Sequence, residues 1–60
     1  MLKFKGFCAE RGIKQKEIAD LLGITVTSVC RKLNGNESFT IKQIKILCEH
    51  YKISAEEYFL

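Results

Sequence analysis

The sequence predicts an all-α fold, a compact bundle of about five short helices that forms a single domain over residues 1–60. Three observations predict this fold class. Apolar residues recur at helical spacing, and no stretch alternates with the period of two that is typical of a strand. The chain contains no proline, which would interrupt a helix. Residues that favour helix starts stand directly before several of the apolar stripes.

Glycine and capping residues divide this pattern into helices. Gly12 follows the first apolar segment and Gly23 the second, as expected of glycine at a helix C-terminus. Asn34 and Gly35 end the third segment. The expected helices cover about residues 2–10, 15–22, 25–33, 41–51 and 55–59.

Three helix starts carry capping signals. Thr40 is followed at the third position by Gln43, and Ser54 by Glu57, so each pair is expected to form a capping box. Thr25 is the expected N-cap of the third helix. The fourth helix then carries an apolar stripe at i, i+3, i+4 spacing, made of Ile41, Ile44, Leu47, Cys48 and Tyr51.

Composition excludes several classes of protein. Three cysteines, Cys8, Cys30 and Cys48, are an odd number at wide spacing, which indicates neither a disulfide framework nor a zinc site. A reducing cytoplasm is the expected location, and no apolar run approaches the roughly 18 residues of a membrane span. With one histidine, no glycine-rich phosphate loop and no nucleophile–base pair, the chain is not expected to be an enzyme or to hold a cofactor or metal.

Positive charge is concentrated in the first three quarters of the chain. Residues 1–45 contain nine Lys and Arg against four Asp and Glu, a net charge of +5, whereas residues 46–60 contain one against three, a net charge of −2. A basic body with an acidic end fits a protein whose body contacts a polyanion. A solvated surface of mixed charge explains the same pattern equally well.

The stretch from residue 15 to residue 35 is the most informative. Ala19 lies four residues before Gly23, and Val29 lies six residues after it. Two helices that cross steeply need small residues where they touch, a glycine for the sharp exit and an apolar plug, here Ile24, in the turn. This arrangement predicts a helix-turn-helix that leaves one face of the third helix free to enter a major groove.

At these positions the sequence resembles the helix-turn-helix family of phage repressors and Cro proteins, of which lambda repressor has the type fold. The resemblance is carried by Gln15, Ala19, Gly23, Ile24, Val29 and Asn34–Gly35, and by the later Phe39–Thr40, Ile44, Ile53–Ser54 and Tyr58–Phe59. It covers essentially the whole chain and is closest to small members derived from phages or prophages. Two departures from the family pattern are notable. Val26 and Thr27 replace a polar, often Gln-rich pair, and Lys32–Leu33 replaces an aromatic–acidic pair, so that Leu33 is expected in the core.

The resemblance also implies roles by position. Base-contacting residues are expected on the outer face of the third helix, where Thr27 and Arg31 could hydrogen-bond base edges and Val26 could contact a thymine methyl group. The expected base-contacting residues are Thr25, Val26, Thr27, Cys30 and Arg31. Phosphate contacts are expected from Gln15 and Asn34 by resemblance, and from basic residues by their charge. The expected phosphate-contacting residues are Lys14, Gln15, Lys16, Lys32, Asn34 and Lys42.

Two functions are compatible with these features. The first is a sequence-specific transcriptional regulator that binds a double-stranded DNA operator, as a homodimer at least on DNA. The second is a protein-interaction module, such as an antitoxin or anti-repressor adaptor, that uses the fourth and fifth helices. Tyr58, Phe59 and Leu60 could close the monomer core, form a dimer seam, or do both.

Overall fold

The computed structural model describes residues 3–59, and within them the protein is all-helical. This confirms the predicted fold class. Leu2, the expected start of the first helix, lies outside the described residues. The five helices are α1 (Lys3–Arg11), α2 (Gln15–Leu22), α3 (Val26–Leu33), α4 (Ile41–Tyr51) and α5 (Ala55–Tyr58).

The core takes one fully buried side chain from each of the four longer helices, namely Phe4, Ile18, Val29 and Leu47. Aromatic rings surround Phe4, whose centroid lies 4.9 Å from that of Phe59. Because these rings come from both ends of the chain, the first and last helices close the same core. Burial of such side chains is the main stabilising contribution in so small a domain.

Capping follows the prediction at two of three helix starts. Thr25 Oγ1 accepts a hydrogen bond from the Ser28 amide at 3.1 Å. At α4 the Thr40 side chain and the Gln43 side chain each bond the other residue's backbone, which completes the predicted capping box. The prediction for Ser54 was wrong. Ser54 is the N-cap of α5, but its side chain makes no capping hydrogen bond, and α5 has only four residues.

The apolar stripe of α4 begins one turn later than expected. Ile41 is 77% exposed, whereas Leu47 is fully buried and Ile44 is half-buried. Ile41 therefore does not join the part of the stripe that packs on the core, although its spacing predicted that it would. Leu33, by contrast, is buried in the core as predicted.

None of the helices among residues 3–59 has the length and apolar character needed to cross a membrane.

Candidate nucleic-acid interface

Helices α2 and α3 pack together as a helix-turn-helix, and the four residues expected at their junction lie there. Ala19 and Val29 are buried against each other's helices, and Ile24 is half-buried on the core. Gly23 has a φ of 70°, a left-handed conformation that glycine adopts without steric cost. The amides of Gly23 and Ile24 both donate to the Ala19 carbonyl, the latter at 3.0 Å. The turn is thereby tied to the end of α2.

The inner and outer faces of α3 differ sharply. Val29, Lys32 and Leu33 are buried, whereas Val26 and Arg31 are exposed, as expected for a helix with one side on the core. All five expected base-contacting residues lie at or beside this outer face: Thr25, Val26, Thr27 and Arg31 are exposed, and Cys30 is half-buried. We call this surface, formed by residues 25, 26, 27, 30 and 31, the outer face of α3.

Five of the six expected phosphate-contacting residues lie at three separate places in the fold. Lys14, Gln15 and Lys16 surround the start of α2, where the free backbone amides of a helix N-terminus favour an anion. Asn34 is the C-cap of α3, and Lys42 is in the first turn of α4. Their side chains are exposed, except for that of Gln15, which is half-buried.

Lys32 requires a correction. It is buried, and its ammonium donates to the Ser38 carbonyl at 2.8 Å and lies 5.7 Å from the centre of the Phe39 ring. These contacts occupy its charge inside the protein. The side chain holds the loop after α3 in place, instead of reaching a phosphate as the sequence had suggested.

Two charged residues that were not predicted from the sequence contact the last turn of α3 or its C-cap. Lys5, on α1, donates to Asn34 Oδ1, and the Asn34 amide in turn donates to Cys30 Sγ at 3.4 Å. The carboxylate of Glu37 lies 3.7 Å from the guanidinium of Arg31. Neither pair has a helical spacing in the sequence, so only the three-dimensional fold reveals them.

Tyr58 and Phe59 contribute to the monomer core. The ring of Tyr58 packs edge-on against that of Phe7 at 5.1 Å between centroids. The ring of Phe59 packs edge-on against that of Phe39 and at a tilt against that of Phe4. Both side chains remain half-buried. Leu60, the third residue of the suggested dimer seam, lies outside the described residues. The seam itself therefore stays a prediction.

A hydrogen bond joins the last long helix to the first turn of α2. The Tyr51 hydroxyl donates to Glu17 Oε2 at 2.8 Å, and burial together with this bond raises the pKa of Tyr51. Burial also raises the pKa of Cys8 to about 11, with a smaller contribution from the negative charge of Glu17. Among the described residues, no group of three or more His, Cys, Asp and Glu could hold a metal ion.

One family model identifies the family of this chain. A family model described as the BetR domain matches residues 4–60, which is nearly the whole chain. The chain belongs to the BetR domain family. The BetR match fits a small helical domain of the helix-turn-helix kind with a general role in regulation or DNA binding. The closer resemblance to phage repressors and Cro proteins stays a prediction. No curated protein and no solved structure matches the chain.

Proposed function

We propose that this BetR domain is a sequence-specific transcriptional regulator of the phage or prophage repressor or Cro type. It binds double-stranded DNA in the bacterial cytoplasm, at the nucleoid, and performs no catalysis. The observation that supports this proposal best is the two-sided structure of α3. Val29 and Leu33 fix the helix on the core, while Arg31, with its side chain 61% exposed, projects from the opposite side.

The chemistry of the outer face of α3 suits base contacts. Thr27 has a hydroxyl that can donate or accept, Val26 has methyl groups for thymine, and Arg31 has a fork of donors for guanine. The basic residues at the starts of α2 and α4 are exposed and carry the positive charge that phosphate contacts require. A homodimer would place two such helices about 34 Å apart on a pseudo-palindromic operator.

The proposal is tested by selecting duplexes from a randomised pool and measuring fluorescence anisotropy of the selected site over a salt titration. We expect a palindromic site, two chains per duplex and an affinity that falls steeply with salt. Arg31→Ala should weaken binding to the selected site by about 1–3 kcal/mol and relax the preference at one base position. Lys45→Ala removes an equal charge from an exposed position on α4 and is the matched control.

A wild-type chain that binds every duplex equally, or none at low salt, would contradict the proposal. The interaction module would then be favoured, and one observation points to its surface. Ile41 is 77% exposed, and a pocket of about 200 Å³ next to the α3–α4 loop is lined in part by Ile44, Phe39 and Phe59. In that case, Ile41→Asp should abolish capture of a protein partner, while Thr27→Ala leaves it unchanged.

A further inference from the structure

The loop after α3 is fastened to the last turn of that helix. The amides of Asn36 and Glu37 both donate to the Arg31 carbonyl, at 2.9 and 3.3 Å. The Lys32 ammonium binds the Ser38 carbonyl on the other side of Glu37. The backbone of Glu37 is therefore held at a fixed place relative to α3.

From this place the carboxylate of Glu37 faces two cations. Its Oε1 lies 3.7 Å from Arg31 Nη1, and its Oε2 lies 3.9 Å from Lys32 Nζ. The ammonium of Lys32 is already bonded to the loop, so the more mobile partner of the carboxylate is the exposed guanidinium of Arg31. Glu37 thus stands beside the one arginine on the outer face of α3.

We infer that Glu37 is a positioning residue that directs Arg31 to a guanine edge and away from phosphates. The inference rests on the proposed function and adds a specificity determinant to it. A guanidinium has five donors in a planar fork, so pairing one side with a carboxylate leaves donors free for guanine O6 and N7. The carboxylate cancels one of the two positive charges beside it, so that Arg31, Lys32 and Glu37 together carry a net charge of +1.

This partial cancellation of charge discriminates between a phosphate and a guanine edge as targets of Arg31. Attraction to phosphate depends on net charge, and a carboxylate close by repels the phosphate itself. Hydrogen bonding to a base edge depends chiefly on the direction in which the donors point. The carboxylate restricts this direction because it holds one side of the guanidinium. Glu37 should therefore weaken binding to arbitrary DNA and increase discrimination at the base that Arg31 contacts.

The test compares Glu37→Gln with wild type on three duplexes, which are the selected operator, the operator with the Arg31-dependent guanine replaced, and an unrelated sequence. Glutamine keeps the size of the side chain and removes the charge. We expect affinity for the unrelated duplex to rise about threefold to tenfold. The ratio of affinities for the operator and the substituted operator should fall by a similar factor. Discrimination at the other bases of the operator should stay as in wild type.

Three controls separate this role from simple loss of charge or stability. Glu49→Gln removes the same charge from an exposed position of α4 and should leave the ratio unchanged. In an Arg31→Ala background, Glu37→Gln should no longer alter the ratio. Glu37 is itself exposed and both of its ion pairs are longer than a hydrogen bond, so thermal unfolding of Glu37→Gln should lie close to that of wild type.

The outcomes distinguish this inference from the proposed function. If wild type selects an operator but Glu37→Gln behaves like Glu49→Gln, or shifts discrimination equally at every base, the inference alone is overturned. If wild type selects no operator, the proposed function is overturned, and the inference falls with it.

Discussion

At the scale of single residues, two glycines have opposite backbone requirements. Gly6 lies inside α1 with ordinary helical geometry, whereas Gly23 adopts a φ of +70° in the turn after α2. A Cβ built at either position meets no atom within 4 Å beyond the adjacent backbone. Substitutions at the two sites therefore report backbone conformation alone, without steric interference from neighbours.

We expect Gly6→Ala to raise the free energy of unfolding by about 0.5–1 kcal/mol, because alanine loses less backbone entropy in a helix. Gly23→Ala should lower it by about 1–2 kcal/mol, because a side chain is strained at positive φ. Urea denaturation followed by circular dichroism measures both. Equal effects of the two substitutions would contradict the backbone explanation.

Two adjacent residues also show what a sequence pattern does not predict. Arg31 and Lys32 are both basic and consecutive, and both were expected to contact DNA. Helical geometry places one outside, whereas Lys32 lies only 8% exposed beneath the α3–α4 loop. The decisive contact is with the carbonyl of Ser38, whose position depends on the path of an irregular loop. Helical periodicity carries no information about such a path.

At the scale of elements, the helix starts divide into capped and uncapped ones. Thr40 and Ser54 each precede a helix with a matching partner three residues later, and both have extended backbone. Only Thr40 closes its capping box. The bounds of α2 and α4 agree with the sequence prediction, because apolar spacing coincides with Gly23 at the end of α2 and with the Thr40 cap at the start of α4. At α5 the capping signal is present, but the helix spans a single turn.

This difference predicts unequal effects of the same substitution. Thr40→Ala should lower the free energy of unfolding by about 1 kcal/mol, because it removes the acceptor for the Gln43 amide. Ser54→Ala should change it by a few tenths at most. Thermal unfolding of both variants beside wild type checks the difference, and a loss at Ser54 as large as that at Thr40 would contradict it.

At the scale of the whole molecule, the free energy of unfolding should fall as the pH rises into the alkaline range. Cys8 is buried, and its pKa is raised from the usual 9.0 to about 11, mainly by burial. The unfolded chain loses this proton near pH 9, while the folded chain keeps it. The stabilising contribution is therefore complete below pH 9 and is lost as pH rises to about 11. The raised pKa values of Cys48 and Tyr51 act in the same direction.

We expect the free energy of unfolding to fall by about 2–3 kcal/mol between pH 9 and pH 11 from Cys8 alone. Urea titrations across this range measure the slope. Cys8→Ala should flatten it, although this variant starts from a lower stability because it leaves a small cavity. An unchanged slope in Cys8→Ala would refute the assignment.

The buried and the exposed residues of α3 are different sets, and this separation has a consequence for how the protein can diversify. The side chains that anchor the helix, Val29, Lys32 and Leu33, are separate from the exposed residues Val26, Thr27 and Arg31. Substitutions on the exposed side can accumulate without disturbing the core. Under the proposed function, variants of this chain could therefore exchange one binding preference for another while they keep the same scaffold, and the same separation would make the helix a suitable site for redesign.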